Sequence, residues 1–184
     1  MEIKVDDLSG PEIAAFLEEH IRDMRSVSPP ESKHALDLEG LRKSDITFWT
    51  LWHEGKIGGC CALRQIDDRH GEIKSMRTAG ALRRQGVAAR LLDHLIQQAK
   101  ARGYRRLSLE TGAMEFFAPA RGLYRRFGFE PCGPFASYKE DPNSAFFTKI
   151  IEPEVPNKAL EPTPTSVTPR ADARVAPAAV VAHL

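Results

Sequence analysis

The stretch Arg83-Arg84-Gln85-Gly86-Val87-Ala88-Ala89-Arg90 joins a predicted strand to the most regular amphipathic helix of the chain. Along this helix the apolar residues recur at the spacing of one helical face: Val87, Ala88, Leu91, Leu92, Leu95, Ile96 and Ala99. The first amides of a helix have no acceptor within it and carry the positive end of its dipole. Because Gly86 and two alanines keep the turn small, the stretch predicts a site for a polyanion such as a pyrophosphate. The alternative is that these small residues only let the helix pack closely on a sheet.

The segments on either side of this stretch predict a mixed α+β fold. Segments rich in β-branched or aromatic residues predict strands at 3–5, 46–53, 56–66, 72–78, 106–110, 129–132 and 145–150. Apolar residues at helical spacing predict helices at 13–24, 36–42, 87–99 and 119–127. The predicted order is therefore β α α β β β α β α β β, and the three successive strands before the long helix indicate a mainly antiparallel sheet.

The composition is that of a globular chain without a charge excess. Of its 184 residues, 42% are apolar and 28% are charged, and 26 Lys and Arg balance 25 Asp and Glu to leave a net charge of +1. A dedicated nucleic-acid binder would need a basic excess for its phosphate contacts, so we expect no nucleic-acid partner. No segment approaches the roughly 20 apolar residues of a membrane span, so we expect no membrane partner.

The cysteines and histidines predict neither a disulfide framework nor a metal site. Three cysteines occupy positions 60, 61 and 132 and form no C-x-x-C pair, and an odd number favours a compartment that keeps thiols reduced. The N-terminus lacks a basic segment followed by an apolar run, so no signal peptide is predicted and we expect a cytoplasmic protein. The six histidines lack metal-ligand spacing, and no metal is expected.

The composition changes near Ile151. The segment 152–184 holds six of the thirteen prolines and contains no glycine, aromatic residue or cysteine. Such a segment has too little apolar surface to offset the entropy of ordering, and its prolines interrupt helices and strand ladders. We therefore predict one domain over residues 1–151, followed by a disordered Pro/Ala-rich tail over 152–184.

Two motifs within this domain resemble those of the GNAT superfamily of acyl-CoA-dependent N-acetyltransferases. Arg83, Gly86 and Ala88 occupy the defined positions of the pattern [QR]-x-x-G-x-[GA]. The later segment Ala120-Arg-Gly-Leu-Tyr-Arg-Arg-Phe-Gly-Phe129 is similar to the family pattern A-x-x-L-Y-x-x-x-G-F. The predicted element order over residues 1–151 also agrees with that of the family. The resemblance implies a GNAT-like sheet with helices on both faces and acetyl-CoA as co-substrate.

The same resemblance assigns residues to the co-substrate. The amides of residues 84–89 would hold the pyrophosphate of CoA, and the fourth and fifth strands would splay apart to admit its pantetheine arm. Backbone groups of Met76 and Thr78 would pair with that arm as an added strand does, with the Met76 amide turned towards the thioester carbonyl. The cofactor-binding residues expected in this way are Met76, Thr78, Arg83, Arg84, Gln85, Gly86, Val87, Ala88 and Ala89.

The resemblance also implies catalytic residues. Tyr124 matches the helix tyrosine that donates a proton to the departing thiolate, although a tyrosine on an apolar helix face can equally be a core residue. Glu72, on the fourth strand, is the expected base that deprotonates the amine, and the alternative for it is an ordinary edge charge paired with Lys74. Glu110, Glu115 and a water molecule are rival bases.

One position departs from the family pattern. Many members carry an asparagine where this chain has Phe117, so an amide contact to the pantetheine is missing or comes from elsewhere.

These observations predict an enzyme that acetylates a primary amine of a small molecule by direct transfer from acetyl-CoA. A protein N-terminus or lysine as acceptor, and a CoA-binding regulatory module without catalysis, are the alternatives. The sequence leaves open whether two copies of the chain form a homodimer. The acceptor pocket is expected to lie between the loops Val27–Lys33 and Phe135–Ser144, where Glu31, Glu140 and Asp141 would suit a cationic amine.

Overall fold

A computed structural model describes residues 1–27 and 38–152, with side chains in the first helix described as far as Arg22. The elements are β1 (Glu2–Val5), α1 (Pro11–Val27), α2 (Leu38–Leu41), β2 (Ile46–His53), β3 (Lys56–Asp67), β4 (His70–Thr78), α3 (Val87–Ala101), β5 (Arg106–Gly112), α4 (Ala118–Arg126), β6 (Glu130–Cys132) and β7 (Ser144–Ile150). The predicted order of strands and helices is confirmed. No helix among the described residues is long and apolar enough to cross a membrane. The predicted tail lies outside the described residues except for Glu152.

The described strands form one seven-stranded sheet in the order β1-β2-β3-β4-β5-β7-β6. Tight turns join β2 to β3 and β3 to β4, and these pairs are antiparallel. The crossover through α3 makes β4 and β5 parallel, as a strand–helix–strand connection requires. The sheet is therefore mixed and mainly antiparallel, as predicted.

The parallel pair of β4 and β5 separates partway along its length. Pairing runs from His70 opposite Arg106 to Ile73 opposite Leu109 and stops there. Both strands continue beyond this point, β4 to Thr78 and β5 to Gly112. The carboxyl halves of the two strands thus leave a gap within the sheet, and the splay that the resemblance implies is confirmed.

Helices cover both faces of the sheet, because alternate residues of each strand point to opposite sides. We call one side the α3 face; its core joins α3 and α4 to Leu63, Ile73 and Leu107. We call the other side the α1 face; its core joins α1 and α2 to Phe48, Cys60 and Ala62. The prediction of helices on both faces is confirmed.

Gly59 of β3 sets the distance between α3 and the sheet. A Cβ atom at this position would lie 2.8 Å from Val87 Cγ1, 2.9 Å from Leu91 Cδ1 and 2.7 Å from the Arg77 carbonyl oxygen. Contacts this short do not occur in folded proteins, so only glycine lets the first turns of α3 pack against β3. This packing places the N-terminus of α3 beside the gap between β4 and β5.

Candidate active site

The connection from β4 to α3 is a tight, exposed turn. A single turn of 3-10 helix, Gly80–Leu82, precedes the stretch Arg83–Gly86, whose four residues are exposed. Arg84 and Gly86 have positive φ angles of 63° and 82°. Gln85 closes the turn, since its N–H donates to the Leu82 carbonyl at 3.3 Å and its side-chain amide donates to the Ala81 carbonyl at 3.0 Å. The predicted cofactor-binding turn is thus an ordered loop that leads directly into a helix.

The first amides of α3 are available to a ligand. Gly86 is the N-cap of the helix and supplies no side-chain cap, and the first helical hydrogen bond runs from the Arg90 N–H to the Gly86 carbonyl at 3.0 Å. The N–H groups of Val87, Ala88 and Ala89 precede this bond and therefore have no acceptor within the helix. Together with the positive end of the helix dipole, they form an anion site made of backbone.

Gly86 is not a packing residue. A Cβ atom at Gly86 would meet no atom of the described residues within 4 Å, in contrast to Gly59. Its side of the turn is open space, and its φ angle is one that residues with a side chain adopt only with strain. The alternative that the small residues serve only to pack the helix on the sheet thus fails for Gly86. It holds for Ala88 and Ala89, which are half-buried against the core of the α3 face.

A β-bulge interrupts β4 beside the gap. Cys60 pairs with Arg77 and Ala62 pairs with Lys74, so two residues of β4, Ser75 and Met76, oppose one residue of β3. Ser75 has a φ angle of 52°, and its carbonyl accepts a hydrogen bond from Cys60 Sγ at 3.2 Å. Bulges of this kind turn backbone groups away from the ladder.

The backbone of β4 beyond the bulge points into the gap. The Ala79 N–H donates to the Gly58 carbonyl at 2.8 Å, so Ala79 is bonded to β3. Neighbouring residues of a regular strand direct their polar groups to opposite sides, so the N–H and C=O of Thr78 point away from β3. On that side β5 has already separated. Thr78, one of the two residues that the resemblance assigns to the pantetheine, therefore lies along the open edge, and Met76 lies in the bulge two residues before it.

Tyr124 of α4 lies on the α3 face. It is only 6% exposed, and its ring packs edge-on against Phe129 and at a tilt against Phe147, with centroids 5.9 and 6.4 Å away. Burial raises the pKa of the phenol, and the nearby Cys61 and Glu110 raise it further. Those two neighbours belong to β3 and β5, so the phenol lies close to strands on both sides of β4. The ring is a core residue, and the hydroxyl stays protonated as a proton donor must.

Glu72 is buried within an ionic cluster on the α1 face. The residue is 1% exposed, and its Oε1 accepts hydrogen bonds from Lys74 Nζ at 3.0 Å and from the Tyr138 hydroxyl at 2.6 Å. The Arg64 guanidinium lies 3.6 Å from Oε2 and is hydrogen-bonded to Asp45 at 3.0 Å. The alternative of an ordinary edge charge is therefore wrong, because β4 is an interior strand, although the pairing with Lys74 is present.

The second oxygen of Glu72 has no hydrogen-bond partner in the described part of the protein. Oε2 is fully buried and accepts no hydrogen bond. An unsatisfied buried acceptor costs roughly 1–3 kcal/mol, so such an atom is retained where a ligand or a water molecule uses it. Because the carboxylate is enclosed in this conformation, an amine would reach it through water rather than by direct contact.

The rival carboxylates have different surroundings. Glu110 lies one residue beyond the last β4–β5 pair, is half-buried and accepts a hydrogen bond from Ser144 Oγ at 2.7 Å. Glu115 is exposed in the short turn of 3-10 helix before α4. Glu110 thus borders the gap, whereas Glu115 is open to solvent.

The segment after β5 carries the departure from the family pattern. The Phe117 ring packs directly against Gly112, the last residue of β5, where a Cβ atom could not fit. Arg121 of α4 donates hydrogen bonds to the carbonyls of Gly112 at 2.7 Å and Met114 at 2.8 Å. An aromatic contact and a guanidinium therefore hold the end of β5 in this chain.

The expected acceptor loops are described in part. Residues 28–33, including Glu31, lie outside the described residues. In the second loop Glu140 is exposed, whereas Asp141 is half-buried and its carboxylate accepts a hydrogen bond from the Asn143 N–H at 2.8 Å.

Sequence reasoning missed Arg64 and Tyr138. Tyr138 falls within the predicted acceptor loop, and this position was the one feature of the sequence that could have marked it as a site residue.

An open strand edge beside a backbone anion site, with a buried phenol on one face and a buried carboxylate on the other, has the architecture of an acyl-CoA-dependent acyltransferase. The sequence model of the Acetyltransferase (GNAT) family matches residues 13–129, and the chain belongs to this family. It is accordingly an N-acetyltransferase-type acyltransferase.

Several relatives carry N-acetyltransferase names. The chain is 56% identical over 151 residues to the uncharacterized N-acetyltransferase YsnE of Bacillus subtilis, covering 82% of this chain and 100% of the relative. It is 47% identical over 149 residues to the uncharacterized N-acetyltransferase YedL of Escherichia coli, covering 81% and 94%. It is 36% identical over 140 residues to an IAA acetyltransferase of Azospirillum brasilense, covering 76% and 90%.

Solved structures share the fold. An acetyltransferase from Streptococcus agalactiae matches with a TM-score of 0.64 at 21% identity, over 82% of this chain and 98% of that one. An aminoglycoside 6'-N-acetyltransferase complexed with coenzyme A matches with a TM-score of 0.63 at 14% identity, over 85% and 100%. At these identities the likeness concerns the fold alone.

Proposed function

We propose that this protein moves the acetyl group of acetyl-CoA to the primary amine of a small molecule, in one step within a ternary complex. The observation that carries the proposal is the enclosed carboxylate of Glu72 on the α1 face, one residue before the pairing of β4 with β5 ends. Glu72 is 1% exposed, and one of its oxygens has no hydrogen-bond partner among the described residues. Enclosed polar groups suit a small polar molecule, whereas a protein segment would need an open groove.

The residues present fit acetyl-CoA. The amides of Val87–Ala89 and the open space beside Gly86 would hold the pyrophosphate, and the backbone of Met76 and Thr78 would hold the pantetheine arm. When bound, acetyl-CoA supplies an acetyl group activated as a thioester. The Met76 N–H would donate a hydrogen bond to the oxygen on which negative charge develops.

The cysteines favour direct transfer over a two-step route. A two-step route needs a nucleophile that can carry the acetyl group, and a thiol does so as the thiolate. Burial raises the pKa of Cys60 to about 12 and also raises that of Cys61, so both thiols stay protonated in the core. Burial likewise raises the pKa of Cys132, which lies in the edge strand β6. Direct attack by the amine is therefore the proposed route.

The proposed transfer includes two proton movements. The acceptor ammonium must lose a proton before it can attack, and Glu72 Oε2 would take it through a water molecule. The departing thiolate needs a proton, and the Tyr124 hydroxyl would donate it because burial keeps the phenol protonated. The two groups lie on opposite faces of the sheet, so each would act on its own side of the gap.

The test is a screen of acceptors by release of free CoA. The panel contains amino acids, polyamines, aminoglycosides and a peptide with an N-terminal alanine, together with IAA because one relative is named an IAA acetyltransferase. We expect one of the small amines to be the best acceptor. Initial rates with both substrates varied should give intersecting reciprocal plots. Activity confined to the peptide would contradict a small acceptor, and parallel plots would contradict direct transfer.

A further inference from the structure

The loop between β6 and β7 carries a tyrosine that closes a triangle of hydrogen bonds. The Tyr138 hydroxyl donates to Glu72 Oε1 at 2.6 Å and accepts from Lys74 Nζ at 2.8 Å. Lys74 Nζ also donates to Glu72 Oε1 at 3.0 Å. Tyr138 follows Glu72 by 66 positions in the chain, so this is a purely tertiary contact. Oε1 of Glu72 therefore accepts two hydrogen bonds, whereas Oε2 accepts none from the described residues.

The Tyr138 ring has its own anchors. It packs against Phe135 and Phe146 with centroids 5.1 and 5.5 Å away, and Lys74 Nζ lies 5.5 Å from the ring centre. The Tyr138 N–H donates to the Phe135 carbonyl at 3.0 Å. Because these contacts use the ring and the backbone, removal of the hydroxyl alone would leave the packing of the loop in place.

The charges around Glu72 come from three elements. Arg64 of β3 and Lys74 of β4 are the cations that contact the carboxylate, and His70 and Glu110 are close enough to interact with the cluster. Burial, and then the negative charge of Glu72, raise the pKa of Tyr138. The phenol consequently stays protonated and remains a hydrogen-bond donor to Oε1.

We propose that Tyr138 is a positioning residue for Glu72. Its hydrogen bond fixes Oε1, so that Oε2 is the oxygen left to accept a proton, and the same bond holds the loop of residues 133–143 closed over the carboxylate. The kinetic part of this inference rests on the proposed function, whereas the closed loop can be tested without activity.

The kinetic test compares Tyr138→Phe in two backgrounds. With acetyl-CoA and the best amine of the screen, the variant should lower kcat about tenfold, the size of one hydrogen bond to a charged group, with KM for acetyl-CoA unchanged. In a Glu72→Gln background the same change should cost nothing more, because the group that Tyr138 positions is gone. Tyr104→Phe, which removes the hydroxyl of a buried tyrosine on the α3 face, is the matched control and should keep full kcat. Equal losses in both backgrounds would overturn the positioning role.

The second test measures amide hydrogen exchange of residues 133–143 in the full chain. Tyr138→Phe and Glu72→Gln should each speed exchange in this loop about tenfold, and the double variant should exchange no faster than either single variant. Amide exchange of the residues outside this loop is the internal reference in each variant. Tyr104→Phe is the control for a general change in melting temperature. If the loop exchanges at the wild-type rate in Tyr138→Phe, the hydrogen bond does not hold it closed and the proposal is wrong. If the wild-type protein transfers acetyl to no acceptor of the screen but Tyr138→Phe still speeds exchange of residues 133–143, the proposed function is wrong and the closed loop is supported.

Discussion

The two sides of the gap between β4 and β5 are built in different ways. On the α3 side, the anion site consists of the consecutive backbone amides of Val87–Ala89, which follow the turn Arg83–Gly86 and receive no side-chain cap. On the α1 side, the cluster consists of side chains from three separate segments: Arg64 of β3, Glu72 and Lys74 of β4, and Tyr138 of the last loop. The first site begins in an exposed turn, whereas in the second Glu72 is buried and its partners Arg64, Lys74 and Tyr138 are half-buried.

The difference implies different responses to mutation. A backbone site tolerates most changes of side chain and is lost when a residue enters the space of the ligand or alters the φ angle of the turn. A buried ionic cluster responds to each member, because removal of one partner leaves another charge without compensation. Variants on the two sides should therefore separate binding of CoA from the proton chemistry.

The largest effect is expected at Tyr124, a buried tyrosine on the α3 face. Tyr124→Phe should lower kcat by about 10²–10⁴-fold, the usual contribution of a positioned proton donor. The affinity for CoA should not change, because the ring keeps its packing against Phe129 and Phe147. Steady-state kinetics and calorimetric titration with CoA measure the two quantities. Since burial raises the pKa of Tyr124, the wild-type activity should not fall as pH rises through the ordinary tyrosine range near 10. Nearly full kcat in the variant would show that the hydroxyl has no catalytic role.

The second-largest effect is expected at the backbone anion site before α3. Gly86→Glu should weaken CoA binding about 100-fold, because a carboxylate would enter the pyrophosphate site at a cost of several kcal/mol. Gly103→Glu is the matched control, since Gly103 lies beyond the other end of α3, also has a positive φ angle, of 79°, and has no protein atom near an added Cβ. Calorimetric titration with CoA compares the folded variants. Equal affinities would refute the placement of the pyrophosphate.

A smaller, pH-dependent effect is expected at the ionic cluster. Glu72→Gln should lower kcat/KM for the amine about tenfold near neutral pH, less than a base in direct contact would contribute, because water remains in the pocket. The loss should shrink as pH rises, since more of the amine is then already deprotonated. Rate measurements from pH 6 to pH 10 test this, with Glu110→Gln as the comparison. A constant loss at every pH would mean that Glu72 orients a group without taking a proton.

The smallest effect is expected from the C-terminal segment. Removal of residues 152–184 should leave both CoA binding and acetyl transfer unchanged, because its composition offers little apolar surface to the domain. The cut must follow Ile151, which is 3% exposed and donates its N–H to the Arg105 carbonyl at 3.0 Å. Thermal unfolding and the CoA-release assay provide the measurements. A lower melting temperature of the shortened chain would show that the segment belongs to the fold.

Much of the fold was predictable because its signals are local. The periodicity of α3 predicted the helix to within two residues of its observed end, and Gly103 has the positive φ angle expected beyond a helix end. The three successive strands before the long helix predicted the antiparallel meander of β2, β3 and β4. Each of these features depends on residues that are neighbours in the chain.

The candidate site was predictable only where it is local. The anion site at Gly86 was placed from a single stretch. The pairing of Glu72 with Lys74, two residues away on the same face of β4, was also foreseen as an alternative. The bulge at Ser75 and the contact from Tyr138 were not, because no spacing rule connects residues that meet only through strand order and a distant loop.

The sequence by itself determined the order of elements, the backbone anion site and the residue types that resemble an N-acetyltransferase. The tertiary structure alone decided that Gly59, and not Gly86, is the packing glycine, and that Glu72 is enclosed by Arg64, Lys74 and Tyr138. The physical reason is how far apart in the chain the interacting residues lie. Helix periodicity, turn chemistry and amide direction are properties of a few consecutive residues, whereas burial and hydrogen bonding of a side chain depend on which distant strands the sheet brings together.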